Sequence, residues 1–246
     1  MTELAYMVRE DWGQHGTAMV SQSAVIREWL GEAPYLFAVT DVKKFSYDDR
    51  SADVEAAEFI APAAGDRKVF SISELSRLDR EDKVIDHTAV VLHPFEQREL
   101  ETVRRAVEAD LVGRLFVLIW SRHDMVRIWL DGLGATNLHA GESVAPADSL
   151  MLAAAEMMRN EDYNGLSSSR GKDAVVQLIR AFAAEGYPVE PAPWLRAYFA
   201  VGGSFRHAES IEKLVKEMKA GTRHRVKPRY RDNIVEIIRE QVTAKR

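Results

Sequence analysis

Short, continuous apolar runs recur through the first part of the chain, at positions 35–41, 88–92 and 115–120. Each run predicts a buried strand, because a strand covered on both faces of a sheet has no polar alternate positions. Pro34 precedes the first run and Pro94 follows the second, as expected where a strand begins or ends. A shorter run at 135–138 is a further candidate strand.

Amphipathic stretches separate these runs and predict helices at 23–30, 95–112 and 124–133, with a further helix around 52–58. In the second of these stretches, Leu100, Val103 and Val107 share one face, and Glu and Arg residues occupy the other. Strands of continuous apolar character that alternate with such helices are typical of βαβ units around a parallel sheet. Residues 1–145 are therefore predicted to form a Rossmann-like, three-layer α/β domain.

Strand-like runs end at Pro146, and the rest of the chain predicts helices at 149–159, 172–185, 194–200, 207–219 and 231–242. Residues 146–246 are therefore predicted to form an all-α C-terminal domain. Within it, Gly202-Gly203-Ser204 separates a short helix from an amphipathic one. A helix, a glycine turn and a second helix form the outline of a helix-turn-helix.

The composition is that of an ordinary globular protein, with 46% apolar and 29% charged residues in a chain of 246. The absence of cysteine excludes disulfides, thiolate zinc sites, iron–sulfur clusters and a cysteine nucleophile. The first residues lack the basic and apolar regions of a signal peptide, and no apolar run approaches the roughly 20 residues that span a bilayer. The sequence therefore predicts a cytoplasmic protein with no membrane partner.

Charge is unevenly distributed along the chain, whose formal net charge is -5. From Pro191 onward there are 13 Lys and Arg residues against 6 Asp and Glu residues. The excess concentrates at 222–231, where five Arg or Lys residues, one His and one Tyr occur without an acid. Cations held so close together repel one another unless an anion compensates them, and phosphate is the predicted anion. The predicted phosphate-binding residues are Arg223, His224, Arg225, Lys227, Arg229, Tyr230 and Arg231.

Three partners are compatible with this segment: a nucleic acid, a small phosphorylated ligand, or the carboxylates of a protein. In the last case the segment docks on the acidic first domain or on a second subunit of a homo-oligomer. Glu209, Glu212 and Glu217 weigh against DNA, because acids on the outer face of the helix at 207–219 repel phosphate.

A second candidate for binding phosphate is the segment 165–173, where Arg170 and Lys172 lie at the start of a predicted helix. Free N–H groups and the positive end of the helix dipole favour an anion at such a place. The segment is not a Walker A loop, because five residues separate Gly165 from Gly171 and Asp173 follows the lysine. A plain helix start is the alternative interpretation.

Polar residues also follow the predicted strands, and ligands of open parallel sheets collect at the carboxyl ends of strands. The weak catalytic candidates are Asp41, His93, His123 and Asp124, as general acids and bases or as ligands of Mg²⁺. Each also has a structural interpretation, such as a helix cap for Asp124 or a turn for His93. No dinucleotide fingerprint, nucleophile elbow or zincin motif occurs, so the sequence assigns no cofactor and no metal site.

The leading hypothesis from the sequence is a nucleic-acid-binding or regulatory protein that contacts phosphates through its basic C-terminal region. The first alternative is an enzyme that acts on a nucleotide-like or phosphorylated substrate at the strand ends of the α/β domain. The second alternative is an interaction protein whose basic segment docks on an acidic partner.

Overall fold

The computed structural model describes residues 2–9, 17–48, 51–63, 67–77 and 88–244. The chain divides into two compact units. The first comprises Met1–Leu130 and Gly134–Val144, and the second comprises Asp131–Leu133 and Ala145–Arg246. Among the described residues, no helix is both long enough and apolar enough to cross a bilayer.

The first unit is built on a seven-stranded, mostly parallel sheet with helices around it. Its strands are β1 (Glu3–Val8), β2 (Tyr35–Val39), β3 (Val69–Ser71), β4 (Thr88–Leu92), β5 (Arg114–Ile119), β6 (Thr136–Asn137) and β7 (Glu142–Ser143). Its helices are α1 (Thr17–Leu30), α2 (Val42–Tyr47), α3 (Ala52–Ile60), α4 (Gln97–Glu108) and α5 (Met125–Gly132), with a 3₁₀ helix at Ile72–Arg77. The final residues of α5 belong to the second unit.

Strand order in the sheet is β3-β2-β4-β5-β1-β6-β7, and only β6 and β7 pair in antiparallel fashion. From β2 the chain moves outward to its neighbour β3, whereas from β4 it moves in the opposite direction to β5. The connections therefore diverge between β2 and β4. Such a switch point opens a crevice at the carboxyl ends of the two strands.

Every residue of β4 is buried, which explains the continuous apolar run that predicted this strand. The core packs Phe37, Val90 and Phe116 from three neighbouring strands, and all three are fully buried. Strand β1 was not predicted from the sequence, although it lies between β5 and β6. Its run Glu3-Leu4-Ala5-Tyr6-Met7-Val8 has one β-branched residue, so propensity favours a strand only weakly.

The described residues of the second unit form helices and no strands. The helices are α6 (Ser149–Arg159), α7 (Ser169–Ala184), α8 (Pro191–Ala200), α9 (Phe205–Lys219) and α10 (Ile234–Ala244), with a 3₁₀ helix at Asp162–Asn164. The core between α7 and α8 is aromatic, with the rings of Phe182 and Trp194 in edge contact at 5.4 Å.

Candidate functional site

A cleft of about 500 Å³ opens at the switch point of the first unit. Its wall combines residues that follow β2, β4 and β5 with the N-terminal turn of α3. The wall contains both aromatic side chains and carboxylates. The lining residues are Thr40, Asp41, Lys44, Phe45, Asp48, Ser51, Ala52, Asp53, His93, Phe95 and Trp120.

His93 lies at the base of this cleft, directly after β4, and is only 2% exposed. Its Nδ1 atom lies 2.7 Å from Oδ1 of Asp53. The imidazole also stacks on the indole of Trp120, with ring centroids 3.7 Å apart and planes 18° apart. The backbone of His93 has a φ of 48°, a left-handed conformation that costs a non-glycine residue about 1–3 kcal/mol. Such strain is found chiefly where the surroundings hold a residue in place for a function.

Burial lowers the pKa of His93 below its ordinary value, and the contact with Asp53 opposes this effect without reversing it. This shift favours the neutral form of the imidazole. In a neutral ring whose Nδ1–H donates to a carboxylate, the lone pair lies on Nε2. The pairing thus fixes the tautomer of His93 and, equally, the orientation of the Asp53 carboxylate.

Helix α3 supplies two carboxylates to this region from its first turn, Asp53 and Glu55. Ser51 caps the helix, and its hydroxyl accepts from the backbone N–H of Val54 at 3.2 Å. Glu55 forms an ion pair with Arg9, which follows β1 and whose side chain is 4% exposed. Arg9 also donates to the carbonyl of Ala52 at 3.0 Å. Acids are favourable at a helix N-terminus, so the fold holds both carboxylates there at little cost.

Two of the four catalytic candidates, Asp41 and His93, lie in the cleft wall. Asp41 also caps α2, accepting from the backbone N–H of Lys44 at 2.9 Å. His123 and Asp124 are in the loop after β5 and are not among the lining residues. The carboxylate of Asp124 accepts from the backbone N–H of Ser121 at 3.0 Å, so it organises that loop.

The basic segment at 222–231, called the basic ribbon below, runs across α7 of its own unit. Gln177 of α7 holds the ribbon backbone at three points: it donates to the carbonyl of Lys227 and accepts from the N–H groups of Arg229 and Tyr230, at 2.9 and 3.1 Å. Arg180, one helical turn further on, donates to the carbonyl of His224 at 2.8 Å. The ribbon is therefore fixed to the helix through its backbone, and its cationic side chains are not needed for that attachment.

Exposure alternates along the basic ribbon from Arg223 to Lys227, and Pro228 is exposed as well. Its five cations, all at odd-numbered positions, are exposed: Arg223, Arg225, Lys227, Arg229 and Arg231. The residues between the first three turn inward, with His224 only 9% exposed and Val226 half-buried. Tyr230 is also half-buried. This is the pattern of an extended segment that has one face on the protein and one face in water.

Arg229 is the one ribbon cation that forms an ion pair within the described part of the chain, with Glu161 of the same unit. That contact raises the pKa of Arg229. Among the described residues, Arg223, Arg225, Lys227 and Arg231 have no carboxylate within ion-pairing distance. Within the described part of the chain, pairing with the protein's own carboxylates thus accounts for one of the five cations.

Lys172, a phosphate-binding candidate of the sequence analysis, lies in the first turn of α7 and adds its charge to the surroundings of His224. Burial lowers the pKa of His224 most, and Lys172 and then Arg180 lower it further, against the opposing effect of Glu217. Arg170 is exposed in the same turn. The helix begins with Ser169 at a φ of 51° and with Gly171 against the carbonyl of Gly165, where a Cβ atom would lie 2.1 Å from the oxygen.

The turn between α8 and α9 is tightly packed. Tyr198 donates to both oxygens of Asp162, at 2.8 and 2.9 Å, and a Cβ atom on Gly203 would lie 2.2 Å from the tyrosine ring. His207 Nδ1 approaches both Ser204 Oγ, at 3.2 Å, and Asp162, at 3.3 Å. Because both contacts use one nitrogen, these groups form a structural cluster and not a nucleophilic relay.

The outer face of α9 carries both signs of charge in close pairs. Lys216 lies 2.8 Å from Glu212, and Lys219 lies 2.6 Å from Glu190. Paired charges of this kind are typical of a solvated helix surface. The helix-turn-helix stays a prediction.

Within the described ranges, no group of three or more His, Asp or Glu side chains is placed to hold a metal ion. No family model, curated protein or solved structure matches the chain. The function is therefore argued from the cleft and the ribbon themselves.

Several residues of these sites were not predicted from the sequence, among them Asp53, Trp120 and Gln177. Asp53 belongs to a polar connection between strands, and its partner His93 is 40 positions away. Trp120 ends an apolar run, which favoured an interpretation as core. Gln177 lies within an amphipathic helix, and its three backbone contacts leave no signal in the sequence. The one signal for the cleft in the sequence is that polar residues come directly after strands that are neighbours in the sheet.

Proposed function

We propose that the second unit binds the phosphate backbone of a nucleic acid through the basic ribbon. One observation carries the proposal: the ribbon displays a cation at every second position, while its backbone is held to α7 by Gln177 and Arg180. Arg223, Arg225, Lys227 and Arg231 repel one another and have no carboxylate partner among the described residues, so a ligand-binding role accounts for them better than a structural one.

The arrangement suits a polymer of phosphates better than a small ligand. Alternate residues of an extended chain are at most roughly 7 Å apart, so the ribbon cations form a row and do not converge on one point. A single phosphate group would meet one or two of them. A nucleic-acid strand offers a charge to each, and neutralising several phosphates releases several counterions.

Fixing the ribbon in advance also favours binding. Lys and Arg side chains lose conformational freedom when they contact a ligand, and a mobile backbone would lose more. The contacts from Gln177 and Arg180 confine that loss to the side chains. Beside the ribbon lies a shallow groove of about 380 Å³, lined in part by Tyr230, Arg231 and Pro228, where an unpaired base could stack on the tyrosine.

The same geometry argues for binding without sequence specificity. Phosphate contacts position a protein on a nucleic acid, whereas base contacts specify the sequence. The ribbon offers cations and one tyrosine, and the outer face of α9 carries acids that would repel a phosphate backbone. We therefore expect affinity to depend strongly on salt and weakly on sequence.

The test is fluorescence anisotropy with labelled single-stranded and duplex DNA and RNA of mixed sequence, over a series of salt concentrations. If Arg223, Arg225, Lys227 and Arg231 each neutralise one phosphate, log K falls against log salt with a slope of about -3.6 for duplex DNA, at ~0.9 per phosphate. The variant with Arg223, Arg225 and Lys227 changed to Ala should flatten that slope by about 2.7.

A matched control removes the same charge from the first unit. Arg98, Arg105 and Arg122 are exposed, and changing them to Ala should leave both affinity and slope unchanged. Equal losses in the two triple variants would show that net charge alone governs binding and would refute the ribbon proposal. Undetectable or salt-independent binding by the natural chain would refute it as well.

A further inference from the structure

We infer that the cleft at the carboxyl ends of β2 and β4 binds an unphosphorylated nucleoside, with Asp53 accepting hydrogen bonds from the sugar hydroxyls. This site belongs to the first unit and is independent of the basic ribbon. Its location follows from topology, because the chain connections diverge between β2 and β4 and leave a crevice there. At about 500 Å³, the cleft is of a size that holds small ligands.

Aromatic rings supply one half of the recognition. Phe45, Phe95 and Trp120 line the cleft, and Phe95 is 62% exposed. An aromatic ring so exposed on a binding surface has apolar area to bury, and a flat heterocycle covers it efficiently. The indole of Trp120 stacks on the imidazole of His93, so its orientation is set before a ligand binds.

Carboxylates supply the other half of the recognition and disfavour a phosphorylated ligand in the cleft. Asp41, Asp48 and Asp53 line the cleft, against one cation, Lys44. Clustered carboxylates repel a phosphate and accept hydrogen bonds from hydroxyl groups. The favoured ligand is therefore neutral, planar at one end and rich in hydroxyls at the other, which describes a nucleoside and disfavours a nucleotide.

Asp53 is the best positioned acceptor. His93 holds its Oδ1 atom at 2.7 Å, and the carboxylate is 23% exposed, so it is both oriented and accessible. His93 is in turn held by the stacked indole and by its backbone, whose N–H donates to the carbonyl of Leu118 at 2.9 Å. In this arrangement His93 is a positioning residue.

The test is titration of the protein with adenosine, guanosine and uridine, followed by calorimetry and by quenching of tryptophan fluorescence. We expect saturable binding of at least one nucleoside, with its 5′-monophosphate bound at least tenfold more weakly. Asp53→Asn should weaken binding 10- to 100-fold, the range for a lost hydrogen bond to a charged group. Phe95→Ala, at an exposed position that folding does not need, should weaken it about tenfold. Trp120→Phe should remove most of the quenching.

The matched control is Glu58→Gln, which neutralises an exposed acid of the same helix outside the cleft wall and should leave affinity unchanged. If no nucleoside binds at millimolar concentration to protein with native circular dichroism, the inference is wrong. It is also wrong if the monophosphate binds more tightly, or if Asp53→Asn and Phe95→Ala both bind as the natural chain does. The ribbon triple variant should bind nucleoside normally, so failure of one proposal is distinguishable from failure of the other.

Discussion

Arg9 in the first unit and Arg225 in the second carry the same guanidinium group in opposite surroundings. The Arg9 side chain is 4% exposed, paired with Glu55 and bonded to a backbone carbonyl. Arg225 is exposed on the basic ribbon and has no acid within ion-pairing distance among the described residues. The first kind of charge holds the fold of a cleft, and the second kind is available to a ligand.

The contrast extends to the surroundings of each charge. At the cleft, Arg9 forms an ion pair with Glu55, and the imidazole of His93 is bonded to the carboxylate of Asp53. In the ribbon, Gln177 and Arg180 hold the backbone, so its attachment to α7 does not depend on the cationic side chains. A buried charge requires a partner because desolvation is costly, whereas an exposed charge is stabilised by water. Changes at the two places should therefore affect different properties.

The largest expected effect is on the stability of the first unit, from Arg9→Met. The methionine keeps much of the volume but leaves Glu55 without its cation, and breaking a buried pair in this way costs about 3 kcal/mol. Urea denaturation followed by tryptophan fluorescence measures this, because Trp194 is the one tryptophan of the second unit. Adding Glu55→Gln should restore part of the loss. A single variant as stable as the natural chain would show that the pair does not hold the cleft.

A pH effect is the next expected consequence of burial. The pKa of His93 is lowered in the folded unit, mainly by desolvation, while the unfolded chain has the ordinary value near 6.5. Below about pH 6.5 the unfolded state therefore binds more protons, and the free energy of unfolding of the first unit should fall as the pH decreases further. Above that range, this contribution is constant.

His93→Asn isolates this contribution, because asparagine tolerates a positive φ better than most residues and does not titrate. The variant should lose part of the pH dependence between about pH 6.5 and 5, as measured by urea denaturation at a series of pH values. An unchanged pH profile would place the titrating group elsewhere.

The sequence predicted more of the fold than of the sites. The apolar runs at 88–92 and 115–120 predicted central strands because parallel strands buried on both faces leave an unmistakable pattern. The helix over 149–159 was predicted with the same bounds that the structure has. By contrast, β1 lies inside the sheet but carries a mixed composition, and its place depends on contacts with β5 that no local pattern reveals.

The sites depend on pairings over long distances in the sequence. His93 and Asp41 were candidates because they follow strands, and both line the cleft. Asp53 was not a candidate, because acids are common in the first turn of helices and nothing in the local sequence marks this one as part of a site. The ribbon cations were identified from composition alone, but their outward alternation results from contacts with Gln177, about 50 positions earlier.

Gln177→Ala tests preorganisation separately from charge. The variant keeps every cation and removes three hydrogen bonds to the ribbon backbone. We expect nucleic-acid affinity to fall by about tenfold, or ~1.4 kcal/mol, because the ribbon must then be ordered on binding. The slope of log K against log salt should not change, because the number of neutralised phosphates is the same. A flatter slope would mean that the loosened ribbon no longer reaches the phosphates.

The smallest expected effect is on the stability of the second unit when Arg223, Arg225 and Lys227 are changed to Ala. Exposed substitutions away from caps and buried contacts usually change stability by no more than about 0.5 kcal/mol each, and removing mutually repelling cations acts in the favourable direction. Urea denaturation followed by helical circular dichroism measures this. The result matters for the comparison of Arg9 with Arg225, because an unfolded variant would also lose nucleic-acid binding. If the triple variant unfolds at clearly lower urea, the ribbon cations stabilise the unit, and the distinction between structural and displayed charge does not hold.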